Sequence, residues 1–156
     1  MATLTADFLA QRRIAVSGVS RHAETHGGNG IYRRLKDRGY EAFAVNPRAE
    51  SVEGDRAYPD LRSIPGGVDA VVIATAPEHA DAIVRECKEL GIKRVWMHGP
   101  PGGGTSVSRG AVEYCRANGI GVIPGGCPLM FGPTADVGHR CMRWVMQLSG
   151  ALPKGI

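Results

Sequence analysis

Aromatic residues are scarce in this sequence, and several sequence patterns that are typical of particular functions are absent from it. Phenylalanine, tryptophan and tyrosine make up 6% of the 156 residues, too few for the stacking platform of a single-stranded nucleic-acid binder. The 19 lysines and arginines form no dense run, so the net charge of +4 favours phosphate-bearing ligands without indicating a nucleic acid. No segment offers the ~20 consecutive apolar residues of a membrane span, and the first residues lack the pattern of a signal peptide. We therefore expect a cytoplasmic protein with neither a nucleic-acid nor a membrane partner.

Cysteine and histidine are present without the spacing of a metal site. No two cysteines form a CxxC pair, and His22 and His26, four residues apart, lie in a predicted loop with no further ligand. Neither a Ser-His-Asp signature nor paired carboxylates are apparent, so we assign no metal and no catalytic residue. Cysteines inside predicted helices are interpreted as core residues, namely Cys87, Cys115 and Cys141. Cys127 instead follows a strand, where a buried, inert thiol competes with a ligand contact.

Apolar strands alternate with helices along the chain. The strands are predicted at 12–19, 40–45, 68–75, 92–97 and 120–123, and the helices at 31–38, 78–90, 105–118 and 134–148, with a short helical turn at 60–64. Thr105 is predicted to cap the third of these helices. In the last one Cys141, Trp144, Val145 and Leu148 share one side, which leaves room for a homodimer or for an unknown protein partner.

This alternation predicts an α/β fold of the Rossmann-like type. We expect a three-layer sandwich with a five-stranded parallel sheet in the order 3-2-1-4-5 and right-handed crossovers. The length fits one domain over residues 1–156, with a core at about 12–149 and a frayed tail after it. Ligands of such sheets bind beyond the carboxyl ends of the strands. That rule selects the loops at 18–30, 46–48, 75–79, 98–104 and 124–132.

The loop after the first strand is a candidate phosphate site. Gly18 permits a tight turn, and Gly27, Gly28 and Gly30 let backbone N–H groups approach an anion at the start of a helix. The loop is not a GxGxxG motif, so the glycines alone do not separate a phosphate site from a surface turn.

The loop after the second strand discriminates better between nucleotides. An NAD site places Asp or Glu there to hold the ribose hydroxyls, whereas this chain has Asn46, Pro47 and Arg48. The planar guanidinium of Arg48 suits a phosphate on the adenosine ribose, which favours CoA or NADP over NAD. A solvated arginine after a proline turn is the alternative.

Taken in order, these segments resemble the stand-alone CoA-binding domain proteins, which are similar to the N-terminal domain of the succinyl-CoA synthetase alpha subunit. The resemblance runs over roughly residues 12–131. Its matching stretches are 14–20, 39–40, 45–48, 69–77, 91–92, 95–97 and 126–128, of which Val-Asn-Pro with the later Gly-Cys-Pro is the most telling pair.

The resemblance implies that CoA binds along the loops at the carboxyl edge. It places Gly18, Val19 and Ser20 at the pyrophosphate, Asn46, Pro47 and Arg48 near the 3′-phosphoadenosine, Thr75, Ala76 and Pro77 along the nucleotide, and Cys127 and Pro128 toward the thiol end. Arg21, Asn29 and His98 complete the candidate contacts. The family's Arg and Ser before the first helix are replaced here by residues 26–29, so Arg21 or backbone amides alone would hold the phosphates.

The resemblance further implies a small module that binds CoA or an acyl-CoA as a sensor, carrier or regulator. The related ligase carries its phosphohistidine in a second domain, for which these 156 residues leave no room, so we expect no ligase chemistry within them. Two alternatives stay open. One is an NADP-dependent reductase with Arg48 on the 2′-phosphate, and the other is a redox protein in which Cys127 forms a mixed disulfide with CoA.

Overall fold

The structure is a computed structural model that describes residues 3–22, 27–99, 105–132, 135 and 137–148. The helices are α1 (Leu4–Leu9), α2 (Gly27–Asp37), α3 (Ala80–Glu89), α4 (Arg109–Ala117) and α5 (Val137–Leu148). The strands are β1 (Arg13–Ser17), β2 (Glu41–Val45), β3 (Ser51–Val52), β4 (Asp55–Tyr58), β5 (Ala70–Ile73), β6 (Arg94–Met97) and β7 (Gly121–Pro124), and single 3₁₀ turns lie at Pro77–His79 and Pro128–Met130. No helix in this part of the chain is long and apolar enough to span a membrane.

The described strands form one sheet in the order β3-β4-β2-β1-β5-β6-β7, and all neighbours are parallel except β3 and β4. The predicted α/β, Rossmann-like class is confirmed, but the sheet has seven strands. The predicted third strand, β5, pairs with β1 on the side away from β2, so its predicted place is wrong. The missed strand β4 occupies that place instead. Counted among the parallel strands, it gives the order 3-2-1-4-5-6.

The β3–β4 hairpin escaped prediction because it is short and half polar. β4 reads Asp-Arg-Ala-Tyr and lies toward the sheet edge, so it lacks the apolar run that marks a central strand. Its turn is Glu53-Gly54, with φ angles of 53° and 79°. Positive φ at both central residues is typical of the tight type I′ hairpin turn.

Helices cover the sheet on both faces. On one face Phe8, Leu35 and Trp96 belong to a buried cluster with residues of α1, α2 and α5, and the Phe8 and Trp96 rings meet edge to face with centroids 5.4 Å apart. On the other face Cys87 of α3 and Cys115 of α4 belong to a second buried cluster. Burial raises the pKa of the Cys115 thiol to about 11 and that of Cys87 well above its usual range, so both are inert core groups as predicted.

Three local predictions need correction. Helix α4 starts at Arg109, and its cap is Ser108, whose hydroxyl accepts a 3.3 Å hydrogen bond from the Ala111 N–H, so Thr105 is not the cap. The segment predicted as a helical turn at 60–64 is an irregular turn stabilised by the Asp60 carboxylate. Helix α1, a six-residue element, was not predicted.

Helix α5 presents its apolar stripe outward. Trp144, Val145 and Leu148 are 64%, 57% and 70% exposed, whereas Met146 on the opposite side is buried. Cys141 is exposed too, so its prediction as a core residue is wrong. Periodicity identifies the stripe of an amphipathic helix but not the surface it faces. The tail predicted to fray lies outside the described residues.

Candidate functional site

The carboxyl ends of the parallel strands bring the predicted site segments to one edge of the molecule. β1, β2 and β5 end at Ser17, Val45 and Ile73, which pair in register, and the next strands end at Met97 and Pro124, which also pair. The candidate residues therefore follow neighbouring strands at a common edge. Asn29 is the exception, because it belongs to α2.

Two glycines bring the start of α2 into backbone contact with the turn after β1. A Cβ on Gly28 would lie 2.5 Å from the Gly18 carbonyl oxygen, and a Cβ on Gly18 would lie 2.5 Å from the carbonyl oxygen of Ala74. Gly18 also has a φ of +98°, a conformation that L side chains rarely adopt. Since any side chain would push these segments apart, the glycines fix the amino end of α2 at the sheet edge. The unsatisfied N–H groups and dipole of a helix start are suited to an anion.

Two asparagine side chains hold the turn after β1 in shape. The Asn46 amide donates to the Val19 carbonyl over 2.8 Å. Asn29 accepts a 2.8 Å hydrogen bond from the Ser20 N–H and donates to the Ser20 carbonyl over 2.7 Å. The Ser20 N–H is thus engaged within the protein, and Asn29 is fully buried, so these two groups order the loop from beneath.

Glu53 supports the same loop and was missed by the sequence reasoning. Its carboxylate accepts from the second amide proton of Asn29 over 2.7 Å and from Arg33 over 3.3 Å, and its side chain is 12% exposed. It occupies the turn of the β3–β4 hairpin, which packs beside α2. The Glu-Gly pair between two short polar segments was the available signal for that turn.

A polar groove of about 740 Å³ opens beside the loop after β2 and carries two arginines. Arg48 is exposed, and its backbone N–H donates to the Asn46 side-chain oxygen over 2.8 Å, which fixes the Asn-Pro-Arg turn. Arg56 on β4 lies over the Tyr58 ring, with its guanidinium carbon 5.2 Å from the ring centroid. Sequence reasoning found Arg48 and missed Arg56, because strand β4 was not predicted. The full lining is Asn46, Pro47, Arg48, Ala49, Glu50, Arg56, Ala57 and Pro59.

The remaining candidates differ in exposure and in engagement. Thr75 carries a buried hydroxyl with no hydrogen-bond partner among the described residues. His98 packs against the start of α2, with its Cε1 atom 3.2 Å from where a Cβ on Gly27 would stand, and burial lowers the pKa of its imidazole. Arg21 and Ala76 are exposed, and Pro77 starts the 3₁₀ turn before α3, the structural role that it suits.

Cys127 is buried and precedes the 3₁₀ turn at Pro128–Met130. Arg38 at the end of α2 donates to the carbonyls of Leu129 over 2.7 Å and Phe131 over 3.2 Å, which anchors this segment. Reciprocal backbone hydrogen bonds of 3.1 Å between Gly99 and Gly126 tie the loops after β6 and β7 together. Among the described residues no group of three His, Cys, Asp or Glu side chains could hold a metal ion.

Comparison with known proteins gives this edge a family context. The chain is 35% identical over 89 residues to the alpha subunit of ADP-forming acetate–CoA ligase II from Pyrococcus furiosus, an alignment that covers 56% of this chain and 19% of that protein. The chain thus spans about a fifth of that relative's length.

Solved structures share the fold. A hypothetical protein from Pyrococcus horikoshii OT3 superposes with a TM-score of 0.72 at 23% identity, covering 80% of this chain and 84% of its own. A conserved hypothetical protein from Pyrococcus furiosus does so with a TM-score of 0.62 at 28% identity, covering 71% and 90%. The model of a family described as the CoA binding domain matches residues 12–133. The predicted resemblance is confirmed: the chain belongs to the CoA binding domain family.

Proposed function

We propose that this chain binds CoA or an acyl-CoA along the carboxyl edge of its sheet and performs no chemistry on it within these residues. The observation that carries the proposal is the groove beside the Asn-Pro-Arg turn, where two arginines line one opening. The start of α2, held close to the β1 turn by Gly28, lies at the same carboxyl edge of the sheet. Family membership supplies the ligand class. The role is that of a sensor, carrier or regulatory module.

The 3′-phosphate of the adenosine belongs at Arg48 and Arg56. A guanidinium offers five N–H donors in a rigid fork. Two guanidinium groups on one groove match the charge of a dianionic phosphate. Glu50 on the same groove favours a ligand that also presents donors, such as a ribose hydroxyl or an adenine amino group. Asn46 has both ends of its amide engaged, with Val19 and with Arg48, so it is a poor ligand for ribose hydroxyls. This arrangement disfavours NAD.

The pyrophosphate belongs at the start of α2. Gly27 and Gly28 present backbone N–H groups of the first helical turn, and the helix dipole places roughly half a positive charge there. Because the Ser20 N–H is already bonded to Asn29, the helix start rather than that amide would supply the donors. The exposed Arg21 in this loop adds a positive charge that can contact the phosphates.

The pantetheine arm then runs toward Thr75 and Cys127. The buried Thr75 hydroxyl lacks a partner among the described residues, and a hydrogen bond to an amide of the arm would satisfy it. Cys127 and Pro128 are buried at the end of that path. A neutral His98 beside the helix start adds no charge to repel or attract the ligand.

NADP is the competing ligand, since its 2′-phosphate would suit the same two arginines. Calorimetric titration of the reduced protein with CoA, NADP and NAD in parallel distinguishes a CoA site from an NADP site. We expect CoA to bind with micromolar affinity and both dinucleotides to bind at least tenfold more weakly. Preferential NADP binding, or no binding of CoA or acetyl-CoA, would overturn the proposal. Intact mass after incubation with CoA disulfide, for wild type and Cys127→Ser, tests the mixed-disulfide alternative.

A further inference from the structure

The outer side of α5 carries a continuous apolar seam, formed by Val137, Cys141, Trp144 and Leu148. Val137, Trp144 and Leu148 are 75%, 64% and 70% exposed, and Cys141 is exposed with them. The opposite side of the helix attaches it to the body, where Met146 is 4% exposed. The side with more apolar residues is therefore the one that faces out, which marks it as an interaction surface.

The spacing of the seam is that of a helix that pairs with another helix. Its positions, 137, 141, 144 and 148, alternate steps of four and three residues. This is the a/d rhythm of two-stranded helix packing, in which each side chain fits between residues of the facing helix. A lipid surface would instead favour several flanking cations, and Arg140 is the single one beside the seam.

We propose that the α5 seam pairs antiparallel with the α5 seam of a second copy of this chain, about a twofold axis between Cys141 and Trp144. Trp144 then packs on the partner's Cys141, and Val137 on the partner's Leu148. Each layer combines a larger with a smaller side chain, so the seam is complementary to itself.

The charges on α5 fit this pairing. The helix has no acidic residue and two arginines. Arg143 stacks over the Phe131 ring of its own chain, with its guanidinium carbon 4.9 Å from the ring centroid, on the side away from the seam. Antiparallel pairing places Arg140 beside the partner's Gln147, so no like charges oppose each other across the seam.

The size of the seam sets the strength of the association. Its exposed apolar side chains offer roughly 500 Å² per copy, below the ~800 Å² per partner of a standard stable interface. The dimer is therefore reversible and forms at micromolar concentrations. None of the seam residues belongs to the proposed CoA site, so this inference and the proposed function fail independently.

Sedimentation velocity over about 1 to 200 μM protein, a range that brackets micromolar affinity, tests the pairing. Wild type should shift from monomer to dimer as concentration rises. Trp144→Glu should weaken dimerisation by at least about 100-fold, because the substitution occurs twice across the axis. Met142→Glu is the matched control, because Met142 is 39% exposed on the same helix but off the seam, and it should dimerise like wild type.

Engineered disulfides in a Cys141→Ser background test the antiparallel arrangement. Val137→Cys combined with Leu148→Cys should give a disulfide-linked dimer under mild oxidation. Val137→Cys alone should not, since the twofold separates its two copies by about 16 Å along the helix axis. A monomer at every concentration, a dimer that survives Trp144→Glu, or efficient cross-linking of Val137→Cys alone would overturn the proposal.

Discussion

The side-chain amide of Asn46 donates a 2.8 Å hydrogen bond to the backbone carbonyl of Val19. This bond joins the loop after β2 to the turn after β1, the two segments expected to hold the adenosine phosphate and the pyrophosphate. The residue that would carry a ribose-binding carboxylate in an NAD site is here a brace between two loops. The proposed CoA site therefore includes a brace between its two loops as well as charged groups.

Replacing Asn46 by Asp should weaken CoA binding without creating an NAD site. The carboxylate cannot donate to the Val19 carbonyl, so the loop loses its brace, and we expect a loss of about 1–3 kcal/mol in unfolding free energy. Affinity for CoA should fall about tenfold or more, measured by calorimetry. Asn118→Asp is the matched control, since the Asn118 amide donates to the Tyr114 carbonyl over 2.9 Å at the end of α4. Asn118→Asp should lower stability and leave CoA affinity unchanged. A gain of NAD binding in Asn46→Asp would contradict this prediction.

Arg48→Ala and Arg56→Ala should each weaken CoA far more than 3′-dephospho-CoA. A charge-assisted contact contributes about 1.5–3 kcal/mol, which corresponds to roughly a 10- to 100-fold loss in affinity. Arg109→Ala, an exposed arginine on α4, should bind both ligands like wild type. Equal losses for the two ligands would remove Arg48 and Arg56 from the 3′-phosphate.

Gly28→Ala should destabilise the protein strongly, and Gly30→Ala should not. A methyl group on Gly28 would lie 2.5 Å from the Gly18 carbonyl oxygen, whereas nothing lies within 4 Å of a Cβ on Gly30 in the same helix. We expect Gly28→Ala to cost several kcal/mol by overpacking, and Gly30→Ala to stabilise by about 0.5–1 kcal/mol through helix propensity. Urea unfolding measures both. Similar stabilities for the two variants would mean that α2 does not approach the β1 turn this closely.

Stability should fall as the pH drops below about 6.5, because of His98. Burial lowers the pKa of its imidazole below the usual 6.5, so the unfolded chain takes up the proton first. The stabilisation is fully present above the unfolded pKa and is lost as the pH falls toward the folded one. His98→Gln should flatten this part of the stability profile, below about pH 6.5. An unchanged slope in His98→Gln would contradict the assignment of this pH dependence to His98.

Most of the fold could be predicted from the sequence, but the side of the sheet formed by β3 and β4 could not. Strands such as Ala70–Ile73 are buried along their whole length and show it as an unbroken apolar run. β4, which lies next to the edge strand β3, mixes charged and apolar residues, so it has no comparable apolar run, and Arg56 was missed with it. Hydrophobic periodicity also could not predict that the apolar stripe of α5 faces outward, because periodicity identifies a stripe but not the surface that covers it.

Part of the candidate site could likewise be predicted from the sequence, and part could not. Glycine turns and the Asn-Pro-Arg segment follow strands, and the parallel arrangement of the strands brings them to one edge. Gly18 and Arg48 could therefore be predicted as site residues. The brace formed by Asn29 and Glu53 depends on hydrogen bonds between segments 24 residues apart. Such a contact arises from the packing of the hairpin against α2, which no local pattern encodes.

Hydrogen exchange with and without saturating CoA tests most directly whether the ligand lies at the carboxyl edge. We expect slower exchange in peptides covering 18–22, 46–50 and 74–77, with no change in α4, which packs on the face of the sheet opposite α2. Protection confined to α4, or no protection at the loops despite calorimetric evidence of saturation, would contradict this expectation.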